Sequence, residues 1–184
     1  DLIIGAMRRE GQGALSVPQR LDVMQRIVGE ALSEVRTLSQ NVHPRVLDEL
    51  GLPAALEWLA RRTRETSAAE VRVASDARTP LPAPVASTLY RVAQEAVGNA
   101  VRHGAATTVC LAVTADRESV SLLVEDDGRG FDVPATLARR DGMGLFTMRE
   151  RVGLVDGRIE ITSRLGRGTR VHAVVPNRDA DAAP

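Results

Sequence analysis

The chain is poor in aromatic residues, with one Trp, one Tyr and two Phe among 184 residues. Its core must therefore be built from Val, Leu, Ile and Ala. A single cysteine, Cys110, excludes an internal disulfide and a cysteine metal cluster. A reducing, cytoplasmic setting is the expectation that follows. There is no excess of either charge, since 24 Lys and Arg balance 24 Asp and Glu. That balance argues against nucleic acid as a direct partner, which favours a basic surplus. No apolar run approaches the roughly 20 residues that a membrane span needs, and no signal peptide opens the chain. An initiating Met is also missing. Asp1 opens in what reads as helix, so the chain is expected to be a piece of a longer protein. Membrane contact would then come only through a missing upstream region. The length suits one ordinary domain plus a smaller appended element.

What is present begins with helix. Residues 1–10 have helix-forming composition and end at Gly11-Gln12-Gly13, a turn. Ser16, Pro18 and Gln19 suit a capping box with proline in the first turn. Leu21, Met24, Val28, Ala31, Val35, Leu38 and Val42 then alternate spacings of three and four, a seam of about three heptads. The pattern favours a helical hairpin that dimerises through residues 21–42. An amphipathic helix packed on its own domain is the alternative. Pro44 ends that helix, residues 45–51 read as a connector, and Pro53 restarts a helix to about Ser67, with Trp58 expected in the core. Residues 70–75 alternate as an edge strand, and residues 79–84, with three prolines, read as a linker.

From Val85 to His103 the period is helical again. Leu89, Val92, Ala93, Ala96 and Ala100 form the apolar stripe, while Glu95, Asn99, Arg102 and His103 share another face. Strands follow at 109–113 and 120–124, a helix at 144–155, and strands at 159–161 and 171–175. Residues 177–184 form a polar tail, expected to be disordered. Helices and paired consecutive strands in this order imply an α+β two-layer sandwich, with a mixed, mostly antiparallel sheet and helices on one face. The other sheet face, on which His172 falls by alternation, is expected to be solvated.

Two stretches hold the chemistry. In QEAVGNAVRHG (residues 94–104), the Asn99 amide oxygen can complete the shell of a magnesium ion otherwise held by water and phosphates. Glu95, one turn earlier, can orient or deprotonate a water. Two polar residues facing solvent are the plain alternative. In EDDGRGFD (residues 125–132), a carboxylate at a strand end can accept a hydrogen bond from an exocyclic amine such as the adenine 6-amino group. Gly128 and Gly130 allow the backbone to come close to a base. An Asp-Gly hairpin turn is the common alternative. It leaves unexplained the glycines Gly142 and Gly144, which lead into a helix where free N–H groups suit phosphate. It also leaves unexplained Gly166-Arg167-Gly168-Thr169. Each set alone is weak, and their order together with Asn99 is a strong signal.

These segments resemble the N, G1, G2 and terminal GxGT motifs of the GHKL ATP-binding fold. That family includes histidine kinases, type II topoisomerase ATPase subunits, mismatch-repair ATPases and a heat-shock chaperone. GMGLFTMRERVGLVDGRIEITSRLGRGTRV (residues 142–171) and LSQNVHPRVLDELGLPAAL (residues 38–56) resemble one branch, the short-lidded bacterial sensor histidine kinases paired with helix-turn-helix response regulators. The resemblance covers roughly residues 1–176. It implies a dimerisation region over 1–43, lacking its phosphoacceptor, and an ATP-binding catalytic domain over 44–176. It implies ATP and Mg2+, with Asn99 as the magnesium ligand, Glu95 as the acid of the N motif and Asp126 as the adenine reader. Gly128 and Gly130 would line the base pocket. Gly142 and Gly144, with Leu145 beside them, would flank the phosphates, and Thr169 would support Asp126. Arg102 and His103 match basic positions near the phosphates, and residues 132–141 would be the lid.

One departure concerns the phosphoacceptor. The branch carries a histidine followed by Asp, with a glutamine four residues after that Asp, and no such motif occurs here. His43 precedes Pro44 and falls at a helix end, a poor place for a phosphoacceptor. The acceptor is therefore expected upstream of Asp1, so that this piece would bind ATP without phosphorylating itself. The implied partners are a response-regulator receiver domain and a second copy of the chain. Alternatives on the same fold are an anti-sigma-factor-type serine kinase, which usually lacks the heptad seam, and a non-catalytic interaction module. An ATP-driven clamp would bring a further transducer domain.

Overall fold

A computed structural model describes residues 45–77, 81–138 and 143–177. The chain divides into two units, Asp1–Val42 and His43–Pro184, and every described residue belongs to the second. The expected hairpin, its heptad seam, His43, Gly142, the end of the lid and residues 178–184 lie outside the described residues.

In chain order the elements are α1 (Arg45–Thr66), β1 (Glu70–Ser75), α2 (Ala83–Arg102), β2 (Thr108–Ala115) and β3 (Ser119–Asp126). There follow α3 (Val133–Ala138), α4 (Met143–Gly153), β4 (Arg158–Ser163) and β5 (Thr169–Pro176). The strands form one sheet in the order β1-β2-β3-β5-β4. β1 runs parallel to β2, and every other pairing is antiparallel. The parallel pair follows from the crossover, because all of α2 lies between β1 and β2.

Period-two alternation sends Val109, Leu111 and Val113 of β2, Val120, Leu122 and Val124 of β3, and Val171, Ala173 and Val175 of β5 to one buried face. Helix α2 lies across that face, with Leu89, Val92, Ala93, Ala96 and Ala100 all buried as the apolar stripe requires. Each fully buried Leu or Val there contributes roughly 1.5–3 kcal/mol. Helix α1 packs on α2 and β1, and α4 packs on α2 and β4.

Several expectations are corrected. Residues 45–50 are helical rather than a connector, and the break is confined to Gly51, whose φ of 77° bends α1 just ahead of Pro53. Trp58 is half-exposed instead of core, with the Arg62 guanidinium 5.3 Å from its ring centroid. The proline-rich 79–84 stretch already contains the start of α2, for which Pro82 is the N-cap. A proline's fixed φ suits a helix start, where its missing N–H leaves no bond unmade. The expected lid is partly helical, since α3 begins where Asp132 Oδ1 accepts from the Ala135 amide at 2.8 Å. On the outer sheet face His172 is half-buried, and its Nε2 lies 2.8 Å from Ser121 Oγ. Asn177 is pinned by its amide to Glu118 O at 2.9 Å and by Nδ2 to Asp116 O at 2.7 Å.

Candidate functional site

Between α2 and the ends of β3 and β5 lies a cavity of about 600 Å3. Its position follows from register. Asp126, the last residue of β3, pairs with Thr169, the first of β5, and with Val109 of β2. Two residues in from that edge, Val124 and Val171 face the helix layer and give the cavity an apolar floor. Ala96 and Ala100 of α2, small enough to leave space, form the wall, and Leu145 and Met148 of α4 close one side. Polar groups converge from two directions: Asp126 and Thr169 from the sheet, Glu95 and Asn99 from α2.

Glu95 and Asn99 are one turn apart and half-buried, and Asn99 Nδ2 donates to Glu95 Oε1 at 3.2 Å. The first turn of α4 sits directly against them. A Cβ on Gly144 would collide with Glu95 Oε1 and lie 3.5 Å from Asn99 Nδ2, so a glycine is what permits this approach. Arg102 and His103 are exposed at the rim, and the Arg102 Nε folds back to Gly98 O at 3.2 Å.

The adjacent aspartates take opposite tasks. Asp126 faces the cavity, and burial raises its pKa; hydrogen bonds from the Gly128 amide, at 2.8 Å, and from the Thr169 amide and hydroxyl pull the other way. Asp127 points outward and clamps the loop after α2. Its Oδ2 accepts from the Thr107 hydroxyl at 2.6 Å, and its Oδ1 accepts from the Thr107 and Thr108 amides at 2.8 and 2.9 Å. The Thr107 hydroxyl first, then the amides, hold the Asp127 carboxyl down at about 2.

Of the residues picked out from sequence, Glu95, Asn99, Arg102, His103, Asp126, Gly130, Gly144, Leu145 and Thr169 all line the cavity. Gly128 is buried behind it, with its N–H on Asp126, and Gly142 lies outside the described residues. Gly130, at φ 62°, serves the protein's own packing, because a Cβ there would strike the Arg164 carbonyl of the β4–β5 turn. Sequence reasoning missed Phe131, Thr136 and Met148 among the lining residues. Val124 and Val171 were legible as buried, and counting two residues from Asp126 and Thr169 would have placed them at the site.

Residues 85–179 match the family described as histidine kinase-, DNA gyrase B-, and HSP90-like ATPases. The chain belongs to that family. The chain is 38% identical over 162 residues to sensor histidine kinase MctS of Rhizobium johnstonii, a match covering 83% of the chain and 35% of the relative. It is 30% identical over 170 residues to sensor histidine kinase ComP of Bacillus subtilis, covering 91% of the chain and 22% of the relative. The chain thus spans about a third or less of the length of these curated relatives.

Solved structures share the fold. The blue-light activated histidine kinase of Erythrobacter litoralis EL346 superposes with a TM-score of 0.61 at 20% identity, over 95% of this chain and 64% of that one. The ATP binding domain of PrrB from Mycobacterium tuberculosis gives 0.51 at 21% identity, over 69% and 94%. The domain accordingly has the GHKL ATP-binding fold, similar in sequence to part of sensor histidine kinases, and ATP is its nucleotide. Among the described residues no helix is long and apolar enough to cross a membrane.

Proposed function

We infer that this domain presents ATP to a histidine of the same or a second chain, and that the phosphoryl group then passes to an aspartate of a response-regulator receiver domain. The single observation that carries this reading is Asp126, held by the Gly128 amide and Thr169 at the polar end of an apolar cavity that faces Glu95 and Asn99. In this reading adenine lies on Val124 and Val171 and gives its 6-amino hydrogen to Asp126. Gly144, at the start of α4, brings backbone N–H groups toward the phosphates.

Asn99 and Glu95 fit a magnesium site. Asn99 Nδ2 is engaged by Glu95 Oε1, which leaves the amide oxygen for a hard cation that takes its other ligands from water and phosphate. Among the described residues no cluster of three or more His, Cys, Asp or Glu side chains could cage a metal alone. Bound magnesium would neutralise charge on the phosphates. The imidazole nitrogen forms the new bond to the γ-phosphorus as the bond to the β–γ bridging oxygen breaks, and ADP departs. Glu95 can accept the proton of a bound water or of the attacking imidazole. A homodimer formed through residues 21–42, a cytoplasmic setting and a regulator with a helix-turn-helix domain complete the proposal. Both curated relatives named above are sensor histidine kinases, which favours this reading over a serine kinase or an inert module.

Calorimetric titration with a non-hydrolysable ATP analogue, with and without magnesium, tests the pocket. The parent chain should bind, Asp126→Ala should abolish binding, and Asn99→Ala should reduce the magnesium dependence. Absence of binding under every condition would overturn the proposal.

A further inference from the structure

The turn between β4 and β5 runs against the glycine loop that follows β3, and the Gly166 amide donates to the Arg129 carbonyl at 2.6 Å. Ser163, the last residue of β4, sits at the centre of that contact. It is half-buried and does not itself line the cavity. Its Oγ accepts from the Phe131 amide at 2.9 Å, donates to the Gly168 carbonyl at 2.8 Å, and lies 3.1 Å from Thr169 Oγ1. Thr169 in turn is the cross-strand partner of Asp126 and lines the cavity beside it, where it lowers the Asp126 carboxyl against the effect of burial. Phe131 lines the cavity and opens the segment that leads into α3. One hydroxyl thus touches the covering loop, the glycine turn and the partner of the adenine acceptor.

A serine hydroxyl has one proton and two lone pairs, so with the proton on the Gly168 carbonyl the lone pairs take the Phe131 amide and the Thr169 hydroxyl. With the Ser163 proton on Gly168, the Thr169 hydroxyl donates back to Ser163. That bond fixes the Thr169 side chain at the cavity edge, beside its cross-strand partner Asp126.

We propose that Ser163 is a positioning residue for recognition of the adenine 6-amino group, orienting Thr169 toward Asp126 and fastening that pair to the covering loop at Phe131. The proposal rests on Asp126 being the adenine acceptor. Removing the hydroxyl leaves the Phe131 amide and the Thr169 hydroxyl each short of a partner. Thr169 then swings freely, and Asp126 loses direction. The cost falls on the contact to the 6-amino group and spares the phosphates.

Calorimetry with magnesium would compare ATP and purine riboside triphosphate, which lacks the 6-amino group, on the parent chain, Ser163→Ala and Ser163→Thr. The parent should prefer ATP. Ser163→Ala should narrow that preference on the order of three- to tenfold, almost wholly by weakening ATP, as the loss of one oriented hydrogen bond implies. Ser163→Thr, which keeps the hydroxyl, should restore the preference. An unchanged preference in Ser163→Ala, or an equal loss for both nucleotides, overturns the proposal and leaves Asp126 as the reader. A parent chain that binds both nucleotides alike overturns the role of Asp126 itself, a different result. Hydrogen exchange supplies a second readout without nucleotide: the Phe131 amide should exchange faster in Ser163→Ala than in the parent or Ser163→Thr, and equal protection in all three counts against the proposal.

Discussion

Asp127→Ala removes the acceptor of three hydrogen bonds that tie the loop after α2 to the end of β3. Those bonds lower the carboxyl from 3.8 to about 2. Taken whole, a fall of that size is worth ~2.4 kcal/mol of linked stability at neutral pH. Asp127 is exposed to solvent, and screening reduces the expected effect to about 1 kcal/mol. The sign follows from the direction of the shift. A depressed folded-state pKa gives stability that is present above the ordinary carboxyl value of 3.8 and is lost as pH falls through about 2. Urea unfolding followed by circular dichroism should therefore show Asp127→Ala about 1 kcal/mol less stable than the parent near neutral pH. The gap should shrink steadily between about pH 4 and pH 2. Asp127→Asn is the informative control. Both loop amides donate to Oδ1, so a neutral amide oxygen in that place keeps two of the three bonds and should keep most of the stability. A gap that stays constant across the acid range would refute the electrostatic part of the reasoning. Equal stability of Asp127→Ala and the parent at every pH would refute the clamp itself.

Three further outcomes are expected. The raised pKa of Asp126 means that its charge costs folding free energy above its folded pKa, a cost absent once pH falls below 3.8. Asp126→Asn should accordingly raise the melting temperature at neutral pH while weakening ATP binding, both measurable on one sample by scanning calorimetry and titration. Tyr90 is buried and its hydroxyl finds no hydrogen-bond partner among the described residues, so Tyr90→Phe should stabilise the fold by about 1 kcal/mol in chemical unfolding. Gly144→Ala would push a methyl group into Glu95 Oε1. It should weaken binding of the ATP analogue on the order of tenfold, with a smaller effect on the melting temperature.

Much of the fold was legible because burial here is periodic. The stripe on α2 and the alternating Val and Leu of β2, β3 and β5 declared both element type and inward face, since a slip of one residue would turn each apolar set to water. The chemistry-bearing residues were legible for a related reason. Asp126, Gly144 and Thr169 stand at element ends, where turn residues and polar groups interrupt an apolar pattern. The helical start of α1 was not legible, because Gly51 and Pro53 signal a break without telling whether the chain bends or stops there. Trp58 was assigned to the core on residue type alone, and its exposure depends on where α1 meets α2.

By itself, then, the sequence determined most of the elements, their buried faces and the polar residues that meet at the cavity, because local period and turn chemistry are short-range properties. Tertiary structure alone decided the parallel pairing of β1 with β2, the division of labour between Asp126 and Asp127, and the junction at Ser163. Those depend on which strand ends and loops become neighbours. Asp127 reaches Thr107 across 20 positions, and Phe131 reaches Ser163 across 32. No local pattern encodes a contact over such a span. It exists only once the sheet has set its register.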